Sequence, residues 1–333
     1  MNRRRGLVIG AAGTIAVFAV LLFLVGGRDV LTALRTADPE AIGLVLAVGL
    51  CWLVAWSLVL RSVLGTLGAP ITVTKSLLVY AAAVFANNVT PFGQAGGEPV
   101  AALLISQVAE ERYETGLAGI AAVDVINVIS SVALVLVSVS YYATTTTVGD
   151  TLQNAVLSAL GVVGAVALVL SLAWRFRWSL IEMASRLVAA TAGRLVSTDG
   201  FDLDIHDRAQ RFFGHVEKIA TSPDRLAGIL LLSLSGWVLQ AAALFVAFTA
   251  VGQSVQIAVV LFAVPLGNLA GAAPLPGGLG AIDAAFVGIL VPVTGIGAAT
   301  VTAAVLIYRG VIYWLPVVLG GSVAGAFSVG VFE

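Results

Sequence analysis

The sequence predicts an all-α, polytopic membrane protein with six full transmembrane helices and two re-entrant, broken-helix hairpins in an inverted repeat. Three observations predict it. Apolar residues make up 59% of the 333 residues and charged ones only 11%, against about 25% charge in a typical soluble domain. Most apolar residues fall in runs of about 20, the length that crosses a bilayer as a helix. Two further apolar stretches are cut in half by turns rich in glycine and proline. So little charge cannot cover a water-facing surface, which excludes a soluble enzyme, a secreted disulfide scaffold and a nucleic-acid binder. Cys51 is the single cysteine, so no intrachain disulfide can form.

The first span is 7–27, directly after Arg3, Arg4 and Arg5. A basic start followed by an apolar stretch is also a signal-peptide pattern. The run is long for a signal core, and no small-x-small cleavage site precedes Arg28, so a retained anchor is expected. Residues 41–60, 116–142, 155–174 and 226–251 supply four more spans. The last runs from 297 to near 330, long enough to cross with tilt and open to a kink at Pro316. Residues 175–225 form a polar loop holding eight of the 17 Lys and Arg. Within it, 180–195 and 206–219 have the pattern of amphipathic helices on a membrane surface. The chain divides accordingly into a first membrane half (1–174), the polar loop (175–225) and a second membrane half (226–333).

The distribution of Lys and Arg sets the orientation. With the N-terminus inside, Arg3, Arg4, Arg5, Arg61, Lys75, Arg112 and the cations of the polar loop lie on the cytoplasmic side. Only Arg28 and Arg35 lie outside, and Arg309 sits within the last span. A multi-pass protein of the cell membrane is expected, with both termini and the 175–225 loop cytoplasmic.

The two interrupted stretches come next. Residues 76–86 form an arm of 11 residues, about 16 Å as a helix. A break from Asn87 to Pro99 follows, and 100–108 return, giving a hairpin over 76–108. The second hairpin, 257–293, repeats the plan with an arm at 257–266, a break at 267–280 and a return at 281–292. None of these arms crosses roughly 30 Å of hydrocarbon. Irregular backbone at membrane depth is tolerated only when buried in protein or lining a water-filled cavity. Two ordinary kinked spans are the alternative. Lys75 and the Glu110, Glu111, Arg112 cluster put both ends of the first hairpin inside. The loops flanking the second carry no Lys or Arg, which puts its ends outside. Interrupted helices at corresponding places in oppositely oriented units point to a transporter's midplane site.

A family resemblance rests on the same residues. Asn88, Pro91-Phe92-Gly93 and Gly96-Gly97-Glu98-Pro99, then the run from Pro274-Leu275-Pro276-Gly277-Gly278 to Gly280-Ala281-Ile282-Asp283, and finally Tyr308-Arg309, resemble the lysylphosphatidylglycerol synthase transmembrane region, or flippase-like domain, family. The resemblance covers nearly the whole chain. It implies movement of an anionic or modified lipid between leaflets. The chain departs from the family pattern where Ala121 and Ala122 precede Asp124 at places that often hold a basic residue, which puts a local ion pair there in doubt. No soluble synthase domain is attached, so lysyl transfer is not expected.

Four ionisable residues lie in apolar context: Glu98, Asp124, Asp283 and Arg309. Each costs roughly 2.5–3.5 kcal/mol at the bilayer centre on insertion scales, so they should face a polar interior and partly pair. Asp124, Asn127 and Ser131 share one helical face; so do Ser233, Trp237 and Gln240, and Thr302, Arg309 and Tyr313. Hydroxyl and amide stripes are also ordinary interhelical glue. The candidate substrate-binding residues are Asn87, Asn88, Gly93, Gly96, Gly97 and Glu98 at the first break, and Asp124 and Asn127 in the third span. Gly277, Gly278, Gly280 and Asp283 join them at the second break, with Arg309 and Tyr313 in the last span. Arg309 would grip a lipid phosphate in two-point fashion, and N–H groups near the glycine turns would add partial positive charge. Glu98 and Asp283 would neutralise Arg309 or meet a cationic headgroup, and Asp124 would assist or carry a proton.

The function expected is a lipid flippase-like transporter for an anionic or modified phospholipid or a polyprenyl-phosphate-linked lipid, not an enzyme. The alternatives are a membrane-embedded enzyme using Glu98, Asp124 and Asp283, or a membrane anchor and partner for a cytoplasmic lipid-modifying synthase or glycosyltransferase. No catalytic residue, metal ligand or cofactor is expected. His206 and His215 lack metal spacing, and no G-x-x-x-x-G-K-[ST] loop is present for direct use of ATP. The expected partners are membrane lipids, with no nucleic acid.

Overall fold

A computed structural model describes residues 19–90, 94–145, 221–273 and 275–328, with isolated positions at 161–179 and at 214. Among the described residues every regular element is helical. Five segments are long and apolar enough to cross a membrane: Pro39–Leu67, Tyr113–Tyr142, Pro223–Ala250, Pro276–Thr294 and Ala298–Val323. Four of these contain or closely match spans expected from the sequence. The fifth, Pro276–Thr294, is 19 residues long and exceeds the half-membrane arm expected there. Only 19–27 of the first span is described. The span at 155–174 and the amphipathic segments at 180–195 and 206–219 lie outside the described residues, apart from isolated helical positions.

A short helix α1 (Gly27–Arg35) buries Val30 and packs on α9 (Ala298–Ile312). Helix α2 (Pro39–Leu67) opens on a cap in which Asp38 accepts the Glu40 N–H at 2.9 Å, with Pro39 in the first turn. Those are favoured start signals, because cap oxygens satisfy N–H groups that have no partner within the helix. Helix α6 (Pro223–Ala250) runs antiparallel to α2 along its length. Their far ends are tied by the Asp38 N–H donating to the Ala250 carbonyl at 2.8 Å. Midway, Trp56 lies against Gly236 and donates its indole N–H to the Ser233 carbonyl at 3.2 Å. Trp52, Trp56 and Trp237 form an edge-to-face series with centroids 5.5 and 5.2 Å apart.

Both interrupted stretches fold as helix pairs. Helices α3 (Val73–Val89, 17 residues) and α4 (Gln94–Ala109, 16 residues) pack on one another. Each is about 25 Å long at 1.5 Å per residue, longer than the arms read from hydropathy. Asn87 and Asn88 continue the α3 helix instead of starting the turn, and α4 runs through Pro99 from Gln94. The polar residues of the first break are therefore largely helical. Helix α5 (Tyr113–Thr145) follows. In the second pair, α7 (Ile257–Asn268) passes through 3-10 turns at Leu269–Ala272 and Pro276–Gly278 before α8 (Ala281–Thr294).

The last span is two helices, α9 and α10 (Trp314–Ser328), meeting at Tyr313. Pro316 explains the break, because it has no N–H for the Ile312 carbonyl and its ring crowds that oxygen. Of the long apolar segments, Ala298–Val323 is the most enclosed, with 67% of its most apolar stretch buried against 33–44% for the others. The chain is thus wrapped around the segment that carries Arg309 and Tyr313.

Candidate functional site

Arg309 lies on the last turn of α9, only 8% exposed. Its guanidinium reaches the second break, where Nη2 donates to the Gly277 carbonyl at 3.0 Å. Its Nε stands 3.6 Å from Asp283 Oδ1, and its carbon lies 5.4 Å from the centre of the Tyr313 ring. The 3.6 Å separation is too long for an N–H···O hydrogen bond, and both atoms are buried without a hydrogen-bond partner. The charges neutralise one another, yet a donor and an acceptor remain open between them.

The local sequence dictates this arrangement. Gly277, Gly278 and Gly280 have φ of 56°, 62° and 82°, a left-handed backbone that glycine adopts without penalty. At Gly277 there is a second constraint: an added Cβ would meet the Tyr313 ring and stand 3.1 Å from the Asn88 carbonyl oxygen. The turn presents the Gly277 carbonyl to Arg309. Three residues into the following turn, Asp283 reaches back and accepts the Gly280 N–H at 2.8 Å, the acidic half of a capping box. An anion at a helix N-terminus is also favoured by the helix dipole. That contact occupies one of the N–H groups expected to face a lipid phosphate.

The first break meets the second at Asn88. Tyr313 donates its hydroxyl to the Asn88 carbonyl at 3.2 Å, and the Asn88 side-chain NH2 donates to the Tyr313 carbonyl at 3.3 Å. This reciprocal pair joins α3 to the α9–α10 break, beside the Pro276–Gly278 turn that α3 also touches.

Glu98 does not reach Arg309 in this arrangement. Its carboxyl group lies beside that of Asp124 on α5, with Tyr80 of α3 close by. Asp124 Oδ2 and, on the neighbouring helix, Asn87 Oδ1 are buried without partners. Gly97 permits the close approach, since an added Cβ would collide with the side chain and backbone of Asn87. Gly96 belongs to the same helix, and Gly93 lies outside the described residues.

Residues 8–320 match the family described as Lysylphosphatidylglycerol synthase TM region. The chain belongs to that family. It is similar to two proteins of Methanothermobacter thermautotrophicus, each named UPF0104 membrane protein. One is 28% identical, with 96% of this chain and 92% of the relative covered; the other is 24% identical, with 99% and 98% covered. A Haloferax volcanii protein named Glycosyltransferase AglD is 27% identical over 92% of this chain, which corresponds to 52% of that relative's length. The family assignment agrees with the resemblance carried by the glycine-proline run and Tyr308-Arg309.

In this member of the family, Asn127 sits apart from the Arg309 junction and ties α5 to α6. It accepts the Ser233 hydroxyl at 2.7 Å through Oδ1 and the Trp237 indole N–H at 2.9 Å through its backbone carbonyl. Ser131 and Thr302 turn their hydroxyls to carbonyls of their own helices. Sequence reasoning missed a polar hub. Gln240 Oε1 accepts both the Tyr308 hydroxyl at 2.9 Å and the Asn268 amide at 3.3 Å. All three residues are polar in apolar runs, which was the available signal; nothing in their spacing indicates that they converge. No cluster among the described residues could hold a metal ion.

Proposed function

We propose that this chain carries an anionic or modified phospholipid, or a polyprenyl-phosphate-linked lipid, between membrane leaflets by way of the Arg309 junction. The observation that carries this reading is the open pairing of Arg309 and Asp283, 3.6 Å apart with Nε and Oδ1 lacking hydrogen-bond partners. A phosphate oxygen entering between them accepts from the guanidinium, whose fork suits phosphate. The Asp283 carboxylate repels the same anion, which keeps binding weak enough for release. Asn88 and Tyr313 close the junction on the side of the first break. The Glu98–Asp124 pair lies one helix away and holds or gives up a proton as the headgroup passes.

In this reading α3–α4 and α7–α8 are re-entrant pairs within an inverted repeat, accompanied by six full spans. Two packing relations support the repeat: α3 packs on α10 of the second half, and α7 packs on α5 of the first. Each leading arm thus docks on the closing helix of the opposite unit. The distribution of Lys and Arg puts both termini and the 175–225 loop on the cytoplasmic side of the cell membrane. The protein acts as a carrier and not as an enzyme.

The experiment is leaflet exchange in liposomes. The purified chain is reconstituted with fluorescent phosphatidylglycerol, phosphatidylcholine or a polyprenyl phosphate, and exchange is compared with that of Arg309→Ala. Exchange in the wild type that disappears in the variant supports the reading. Equal exchange in both removes Arg309 from it.

A second reading draws on the halophile relative, in which a region similar to this chain makes up about half of a protein named a glycosyltransferase. Here the chain is the membrane partner of a separate lipid-modifying enzyme. It would then tolerate substitution at Arg309 and Asp283, and it would co-purify with that enzyme.

A further inference from the structure

The ends of α2 and α6 farthest from the Asp38–Ala250 contact flank an open cleft of about 620 Å³ that the Arg309 junction does not use. We propose that this cleft binds the phosphate-bearing headgroup of an anionic glycerophospholipid on the cytoplasmic leaflet. The inference does not depend on lipid transport.

Each helix contributes one arginine to the cleft, Arg61 from α2 and Arg225 from the first turn of α6. Arg61 donates its Nε–H to the Ile71 carbonyl at 3.1 Å. That contact fixes the guanidinium and leaves its two terminal nitrogens for a ligand. Among the described residues neither arginine is paired with a carboxylate. Asp224 also lines the cleft, so the three charges leave an excess of one positive charge, suited to a single phosphodiester.

The space between the helices is real and not filled by side chains from the walls. Gly65 on α2 and Gly228 on α6 both line it, and apart from the neighbouring backbone of its own helix no atom lies within 4 Å of where a Cβ would stand on either. Elsewhere the same two helices interlock, with Trp56 seated on Gly236. Below the arginines the wall turns apolar at Leu232, next to Leu231, which is 68% exposed on the outer surface of α6. Charge at the mouth and apolar surface beneath match an amphiphile better than a free ion. The volume falls within the roughly 300–1,000 Å³ of small-molecule sites. Basic pockets between transmembrane helices on the cytoplasmic side are where anionic headgroups bind. Arg61 and Arg225 both lie at the end that the distribution of Lys and Arg makes cytoplasmic.

The test is native mass spectrometry of the full chain in detergent, titrated with dioleoyl-phosphatidylglycerol or dioleoyl-phosphatidylcholine. Wild type should retain one phosphatidylglycerol more than Arg61→Gln/Arg225→Gln, and affinity at that site should fall about tenfold in the variant, the scale of losing hydrogen bonds to a charged group. Phosphatidylcholine retention should be the same in both. Asp224→Asn, which removes the one carboxylate, should bind phosphatidylglycerol more tightly than wild type. Arg225→Gln alone, at an exposed position, should lose at least about threefold and tests the site without risk to folding. Millimolar glycerol phosphate or inorganic phosphate should leave the bound lipid in place; its displacement would assign the cleft to a soluble phosphate and overturn the lipid claim. Equal phosphatidylglycerol retention by wild type and both arginine variants would overturn the site itself.

Discussion

Arg309 at the end of α9 and Asp283 in the first turn of α8 face one another at 3.6 Å, close enough to neutralise and too far to hydrogen-bond. Removing one partner of a buried ion pair costs about 3–5 kcal/mol because the other charge is left uncompensated. Asp283→Asn should therefore lower the melting temperature measured in detergent, and so should Arg309→Ala. The double variant Asp283→Asn/Arg309→Ala should recover most of that loss. Leaflet exchange should stay abolished in all variants lacking Arg309. Recovery of both stability and exchange in the double variant would contradict a binding role for the guanidinium.

Glu98 on α4 and Asp124 on α5 bring two carboxyl groups side by side on neighbouring helices. An amide can donate to the remaining carboxylate and removes the like-charge repulsion between the two. Glu98→Gln and Asp124→Asn should each remain as stable as wild type in detergent. Glu98→Ala should lose about 1–3 kcal/mol, the cost of leaving a buried polar group without its partner. In the exchange assay the amide variants separate structure from transport: full stability with reduced exchange assigns the pair to proton handling.

The spans at 41–60, 116–142 and 226–251 were legible because lipid-facing helices need long apolar runs, and hydropathy measures that property. The breaks were legible from their glycine and proline content, but their extents were not. Asn87 and Asn88 remain helical because their side chains face protein, where Asn88 finds the Tyr313 carbonyl. Hydropathy treats such residues as surface. Arg309 and Asp283 were named from sequence, and Asp283 was one of two carboxylates expected opposite the arginine. The assignment of Glu98 to Asp124 instead follows from packing of α4 on α5, a contact with no sequence period. The Gln240 hub was hidden for the same reason, since its three members lie on α6, α7 and α9.

Gln240 accepts from Tyr308 and Asn268 with a single oxygen. Gln240→Leu would strand both donors in a buried region, so a loss of about 2–4 kcal/mol is expected from two unsatisfied groups. Gln240→Glu keeps the acceptor but buries a carboxyl group at a position only 2% exposed, where it must take up a proton or carry the cost of a buried charge, so it too should destabilise. Tyr308→Phe, which removes one donor and leaves Asn268 bonded, should cost about 1 kcal/mol. Thermal unfolding in one detergent ranks the three, and an ordering with Tyr308→Phe as the most destabilising would refute the hub.

Gly97 and Gly310 make a matched pair of helical glycines for the last test. At Gly97 a methyl group would collide with Asn87 on α3, and backbone cannot move aside as a flexible side-chain tip can. Separating α3 from α4 would also displace Glu98, the next residue, from Asp124. Overpacking of this kind costs about 1–3 kcal/mol, so Gly97→Ala should destabilise the protein and reduce exchange together. At Gly310, next to Arg309, nothing lies within 4 Å of an added Cβ, and the position is exposed on α9. Alanine there gains about 0.5–1 kcal/mol of helix stability over glycine, so Gly310→Ala should raise the melting temperature slightly and leave exchange unchanged. Equal effects at the two positions would mean that the α3–α4 contact is not the close approach described.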